Sequence, residues 1–264
     1  DVYSRWKPGN RGGESETLIG NWLAARPDKR DKVQIFTKVG MDMGDGNTGL
    51  SPRWIREEVE NSLSRLKTDY IDLYFSHRFD EDTPQADTLG VYKDLLDEGK
   101  IRSIGASNFD EGQLEDALKI AETEGLPAYQ VLQPEYSLVS RASFEGPLQR
   151  LCIDKNIGVV TYFSLASGFL SGKYRSLDDL QGQARGGMAK KYIENGGLQV
   201  LEEMDDIATS KNITLAELAI AWLLHRDGVT APIASATKDS HLKSLVKASE
   251  VSLTPEEVEA LAVF

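Results

Sequence analysis

Short apolar runs and amphipathic segments alternate along this chain, and that alternation narrows the possible folds more than any other feature. Six runs rich in Val, Ile and Tyr recur: VQIFTKV (33–39), YIDLYFS (70–76), IRSIGAS (101–107), YQVLQ (129–133), IGVVTYF (157–163) and TAPIASA (230–236). Each is too short for a helix and reads as a strand buried on both faces. Between them, apolar residues fall at helical spacing over 51–66, 84–98, 111–124, 146–155, 196–210, 214–225 and 239–248. Pro52 at a first helical position behind Ser51 as a candidate N-cap marks one of the starts. Strand then helix, repeated, gives parallel strands joined by right-handed crossovers.

That pattern closes either as a doubly wound open sheet or as an eight-stranded barrel. A nucleotide-binding open sheet would show GxGxxG after an early strand. GGESETLIG (12–20) has the glycines but no strand before it, and Glu14 and Glu16 would repel a phosphate. The pattern therefore predicts a (β/α)8 TIM barrel, α/β in class, as a single domain over 1–264. Six units are two short of eight. The chain also opens at DVYSRW, which reads as a strand end entering a loop, with no initiator Met. The missing strands are accordingly expected ahead of residue 1.

Composition excludes other classes. The net charge is −12 with no basic run, a poor match for nucleic acid or an anionic membrane surface. No stretch approaches the roughly 18 apolar residues of a membrane span. The single cysteine, Cys152, allows no intramolecular disulfide framework, and three scattered histidines give no zinc-like spacing, so no metal is expected. With no targeting signal, a cytoplasmic location is expected. The oligomeric state is not readable.

Barrel chemistry sits where strands end and loops begin. The strand ends carry Lys38, His77, Ser107–Asn108, Gln133, Tyr162–Phe163 and Ser235–Thr237, a polar set on apolar strands. Lys38 is either an ammonium reaching the barrel rim or a partly desolvated one, able to lower a neighbouring hydroxyl's pKa or to form a Schiff base. His77 is either a structural histidine or a catalytic one. Tyr3 stands at the first strand-to-loop junction. A phenol near an ammonium is an easier proton donor, so Tyr3, Lys38 and His77 together would suit reduction of a carbonyl. Trp6, Met41, Met43, Phe79, Tyr136 and Phe144 lie on loops after strands and would form an apolar substrate mouth, or merely pack the loops.

DVY (1–3), FTKVG (36–40), DYIDLYFSHRFD (69–80), GKIRSIGASNF (99–109), LQPEYSL (132–138) and SLASGFLSGKY (164–174) resemble, in order and spacing, the motifs of the aldo-keto reductase family, most of all its bacterial NADPH-dependent members. The resemblance implies an (α/β)8 barrel that reduces aldehydes and ketones to alcohols with NADPH, without metal or flavin. It implies Tyr3 as general acid, Lys38 as its activator and His77 as the carbonyl-orienting residue. The family's tetrad Asp lies a few residues before the Tyr, ahead of residue 1. Asp1 matches a non-catalytic position.

The resemblance also implies a cofactor set. Ser107, Asn108 and Gln133 would bind the nicotinamide carboxamide, and Tyr162 would stack on the ring. Phe163, Ser164, Leu165, Ser167 and Lys173 would run along the pyrophosphate and ribose, with Arg185 folding over them from the loop 175–195, which reads as a closing flap or as mobile surface. Ser235, Thr237, Lys238 and His241 would take the adenosine 2′-phosphate. Many relatives have Arg or Gln at His241 and Asn at Leu245, which leaves strict preference for NADPH over NADH open. The family also includes potassium-channel β subunits, so an NADPH-binding regulatory subunit with slow turnover is the alternative. A Schiff-base enzyme built on Lys38 explains neither Ser107–Asn108 nor Tyr162.

Overall fold

The computed structural model describes residues 1–183 and 185–262. Ala184, in the loop 175–195, and residues 263 and 264, at the end of the domain expected over 1–264, lie outside the described residues. The chain divides into two compact units, Asp1–Leu132 and Gln133–Phe264.

In the first unit, α1 (Glu14–Ala24) leads through a 3-10 turn at Pro27–Lys32 into β1 (Phe36–Val39). There follow α2 (Pro52–Leu66), β2 (Leu73–Ser76), α3 (Gln85–Asp97), β3 (Ile104–Ser107) and α4 (Glu111–Glu124). The strands lie in the order β1-β2-β3 and all run parallel, with Val39 opposite Ser76 and Ser76 opposite Ala106. Every residue of β2 and β3 is buried, as apolar runs without alternation require. Ser51 caps α2 by accepting from the Trp54 N–H at 3.3 Å, with Pro52 behind it as expected. The seam between α1 and α2 depends on Gly20. A Cβ there would stand 2.0 Å from the Arg65 carbonyl oxygen, so no other residue fits without parting the two helices.

In the second unit, β4 (Val131–Gln133), which starts just before the boundary, leads to α5 (Pro147–Asp154) and β5 (Gly158–Thr161). The chain continues through α6 (Gly186–Glu194), α7 (Gly197–Lys211), α8 (Leu215–Leu224), β6 (Ala231–Pro232), α9 (Asp239–Ala248) and α10 (Pro255–Ala260). Here β5 pairs parallel with β6, Thr161 opposite Pro232. Capping boxes open α8 and α10, where Thr214 and Thr254 each exchange hydrogen bonds with a glutamate three residues on. The core centres on Trp222, fully buried, whose indole N–H donates to the Val258 carbonyl at 3.1 Å. Among the described residues no single helix is long and apolar enough to cross a membrane.

Two sequence expectations change. The loop 175–195 is not all loop: it holds a 3-10 turn at Asp178–Leu180 and then α6. Tyr192 of α6 is buried and stacks on Phe169 with ring centroids 5.7 Å apart, so its second half is packed and cannot act as a free flap. Tyr136 and Phe144 are not at a substrate mouth. Both are fully buried, their rings 5.0 Å apart. The Tyr136 hydroxyl donates to Glu145 at 2.6 Å and accepts from Arg226 at 3.1 Å, so Tyr136 is core.

Candidate active site

The ends of β1, β2 and β3, together with Tyr3, which lies in a turn rather than at the strand end expected, bring five of the expected residues together in the first unit. The Lys38 ammonium donates to the Tyr3 hydroxyl at 3.3 Å and also lies 4.9 Å from the centre of the Tyr3 ring. The His77 ring stands 5.8 Å from that of Tyr3. The Asn108 amide donates to the His77 carbonyl at 2.9 Å and lies 3.2 Å from the Ser107 hydroxyl. The backbone placing these groups is itself held: the His77 N–H donates to the Val39 carbonyl at 2.8 Å, continuing the β1–β2 ladder to the site.

Electrostatics differentiate the three central groups. Burial pushes the Lys38 ammonium down to about 8. Burial, reinforced by the Lys38 charge, pushes His77 down to about 3, so its imidazole is neutral throughout the physiological range. Its Nδ1 is buried without a hydrogen-bond partner. The Tyr3 phenol moves the opposite way from the sequence expectation. Although Lys38 is close, burial raises its pKa above the usual value, and Tyr3 stays protonated at neutral pH.

The loop carrying Tyr3 is pinned by residues that the sequence did not single out for this purpose. The Glu14 carboxylate accepts from the backbone N–H groups of Ser4, Arg11 and Gly12, at 3.3, 2.6 and 3.1 Å. A glutamate thus fills the anion position that the glycines open. Arg5 bridges to the next loop by donating to the Asp42 carbonyl at 2.6 Å and its carboxylate at 2.8 Å. Beneath His77, the buried Ser76 hydroxyl lies 2.9 Å from the Tyr92 hydroxyl and 2.8 Å from that of Tyr129. Arg5–Asp42 and the Ser76 trio join residues far apart in sequence, so no local pattern announces them, whereas the Glu14 bonds to Arg11 and Gly12 are local. Of the expected substrate residues, Trp6 is exposed and meets Tyr3 edge-on at 5.4 Å, Phe79 meets Phe109 at 5.6 Å, and Met41 is half-buried.

The second unit holds the remaining expected cofactor residues. Gln133 is buried at the end of β4, and Tyr162 follows β5 with its ring 5.2 Å from that of Phe163, which is partly exposed. The Ser164 hydroxyl is turned to the fold rather than to a ligand. It is buried, 2.9 Å from the Ile233 carbonyl and 3.1 Å from that of Thr161. Beyond half-buried Leu165, Ala166, Ser167 and Gly168 occupy the left-handed region in succession, at φ 47°, 58° and 91°. The Ala166 and Gly168 N–H groups are turned inward, donating to the Phe163 and Leu165 carbonyls at 2.6 and 2.8 Å. A Cβ on Gly168 would come within 3.1 Å of the Lys173 ammonium, so the bare glycine leaves that charge its space. Arg185 is exposed just before α6. Ser235, Thr237, Lys238 and His241 are exposed about the start of α9, which has no side-chain cap. His241 lies 3.3 Å from the Thr237 hydroxyl. Uncapped helix N–H groups with an adjacent lysine suit a phosphate, although Asp239 in the first turn of α9 sets a carboxylate beside them.

The sequence matches the model of the aldo/keto reductase family over residues 1–263. The chain belongs to that family. Aldo-keto reductases are oxidoreductases with a (β/α)8 fold that use nicotinamide cofactors, and the parallel strands with intervening helices described above agree with that fold. Among its relatives is the NADH-specific methylglyoxal reductase of Escherichia coli, 33 % identical over 264 residues, covering 94 % of this chain and 78 % of the relative. The aldo-keto reductase yakc [NADP(+)] of Schizosaccharomyces pombe is 32 % identical over 259 residues, covering 94 % and 74 %. A probable voltage-gated potassium channel subunit beta of Oryza sativa is 31 % identical over 258 residues, covering 94 % and 78 %.

Proposed function

We propose that this aldo-keto reductase reduces aldehydes or ketones to alcohols with NADPH, with Tyr3 as general acid. The observation that carries the reading is the Lys38 ammonium 3.3 Å from the Tyr3 hydroxyl. When bound, the cofactor supplies a hydride to the carbonyl carbon. Tyr3 Oη gives its proton to the carbonyl oxygen as charge develops there. The Lys38 hydrogen bond enters the Tyr3 oxygen rather than leaving it, which frees the phenolic proton for donation and stabilises the phenolate that remains. Neutral His77 orients the carbonyl by a ring N–H without competing for the proton. In the first unit Ser107 and Asn108 bind the carboxamide. In the second unit, Gln133 and Tyr162 are further cofactor-binding residues, Tyr162 by stacking. Ser167, Lys173 and Arg185 serve the pyrophosphate and ribose, and Ser235, Thr237, Lys238 and His241 serve the 2′-phosphate.

The cofactor preference rests on Lys238, a cation beside an uncapped helix start. The names of the relatives divide, one NADH-specific and one marked NADP(+). The name of the Escherichia coli relative makes methylglyoxal an early substrate to try. A cytoplasmic enzyme acting on small carbonyl compounds is the setting we propose. The rice relative supports the second reading, an NADPH-binding regulatory subunit with slow turnover.

The test is NADPH titration by tryptophan fluorescence, followed by 4-nitrobenzaldehyde with absorbance read at the nicotinamide band. Binding followed by oxidation supports the reductase. Binding without oxidation favours the regulatory reading, and no binding overturns both. The pH dependence follows from Lys38. Its lowered pKa means that it is charged below about 8 and neutral above. The kcat for reduction should be level from about pH 6 to 8 and then fall toward about one decade per pH unit. A profile flat through about pH 10 overturns the role given to Lys38.

A further inference from the structure

α9 carries Lys238 and His241 at its start, yet little apolar contact fixes it. Of its residues only Ala248 is buried, while Leu242 and Val246 are exposed. Beside buried Ala248 and half-buried Leu245, a polar set ties it to α8 and converges on one buried carboxylate. Glu217, 4 % exposed, accepts from the Ser244 hydroxyl at 3.1 Å through Oε1. Through Oε2 it accepts from the Thr214 N–H at 2.8 Å and pairs with the Lys247 ammonium at 3.4 Å. The Thr214 and Ser244 hydroxyls are 3.5 Å apart. The same carboxylate therefore completes the capping box of α8 and holds α9. His241, Ser244 and Ala248 fall on one face of α9 at helical spacing, so a hold on Ser244 fixes the rotation that presents His241. The Thr237–His241 contact extends that hold to the loop before the helix.

We propose that Glu217 is a positioning residue for cofactor choice: by clamping Ser244 and Lys247 it sets the rotation of α9 and so aims Thr237, Lys238 and His241 at the 2′-phosphate. This rests on the reading of α9 as the 2′-phosphate end. An ordinary helix-packing role would move stability and the binding of both dinucleotides alike. A positioning role moves the ratio between them.

The variant to make is Ser244→Ala with Lys247→Met, which releases α9 but leaves the α8 capping box intact. NADP+ and NAD+ are titrated separately by tryptophan fluorescence, and far-ultraviolet circular dichroism confirms folding. The expected result is a Kd for NADP+ raised roughly 3- to 10-fold, about 0.7–1.4 kcal/mol and within the range of coupling through packed elements, with that for NAD+ changed less than about twofold. Ser244→Thr, which keeps the hydroxyl, should retain the parent ratio. Equal weakening of both nucleotides, or no change in either in a folded chain, overturns the clamp. Lys238→Ala, run in parallel, separates the two failures. If it leaves the NADP+ to NAD+ ratio unaltered, the 2′-phosphate reading itself falls.

Discussion

Tyr3→Phe is expected to lower kcat for carbonyl reduction by about 10²- to 10⁴-fold, the usual contribution of a positioned general acid. The substitution removes one oxygen. It keeps the ring that meets Trp6 at 5.4 Å and His77 at 5.8 Å, so the loop and its packing remain. The Kd for NADPH should stay within about twofold, because no cofactor contact is assigned to the hydroxyl. The loss therefore belongs in kcat, as it does for an interaction made only in the transition state. Stopped-flow measurement of a single turnover with 4-nitrobenzaldehyde checks this free of product release. A Tyr3→Phe chain that turns over at the parent rate would remove Tyr3 from the chemistry and leave its hydrogen bond to Lys38 a purely structural one.

The second large effect is on stability. Trp222→Ala should destabilise by about 3–5 kcal/mol, the range for truncating a fully buried aromatic, and should lower the thermal midpoint by roughly 10 °C. More than a cavity is created. The Val258 carbonyl loses its indole donor. Two guanidiniums, those of Arg226 at 5.0 Å and Arg141 at 5.9 Å, lose the ring over which they lie. Those arginines also hold Glu145, which accepts from Arg141 at 2.7 Å and from Arg226 at 3.2 Å, and through it the Tyr136 hydroxyl. Trp222→Phe keeps most of the apolar volume while removing the donor and part of one ring. About 1–3 kcal/mol of loss is then expected. Calorimetry on the two variants gives both numbers, and a Trp222→Ala chain melting within a few degrees of the parent would show that this centre carries little of the stability.

The sequence was legible where one physical signal dominated. The helix of 111–124 coincides with α4, because Asp110 and Gln113 make a capping box and Gly125 ends the helix in the left-handed region. The β-runs were found but drawn long at the front: YIDLYFS becomes Leu73–Ser76, since Tyr70 lies under the guanidiniums of Arg30 and Arg102 and Asp72 receives Arg30. β6 shrinks to Ala231–Pro232, where proline brings no donor to the ladder. Glycines hid two helices. α1 starts after Gly12 and Gly13, α6 at Gly186 and Gly187, and in both the composition reads as a loop. The acidic first turn of α1, with Glu14 and Glu16, was the available signal, since it suits the positive end of a helix.

At the site, the motif order located Tyr3, Lys38, His77, Ser107 and Asn108, and these do come together. What spacing along a chain does not contain is burial. It could not tell that Tyr136 belongs to the core, that the Ser164 hydroxyl is bound to two carbonyls, or that desolvation would outweigh an ammonium 3.3 Å from a phenol.

The Ser76, Tyr92 and Tyr129 hydroxyls beneath His77 form a set of three whose members depend on one another. Changing Ser76 to alanine strands two phenols at once, whereas replacing all three by their oxygen-free counterparts strands nothing. The order of replacement therefore matters: Ser76→Ala first strands both phenols, whereas Tyr92→Phe first leaves Ser76 its bond to Tyr129. The floor of this site can thus be altered without stranding a phenol only if the tyrosines change before Ser76, while the loops above it, tied by separate contacts such as Arg5 to Asp42, can be revised one residue at a time in any order. Divergence in the carbonyl compounds accepted should therefore accumulate in those loops, over a floor that stays as it is.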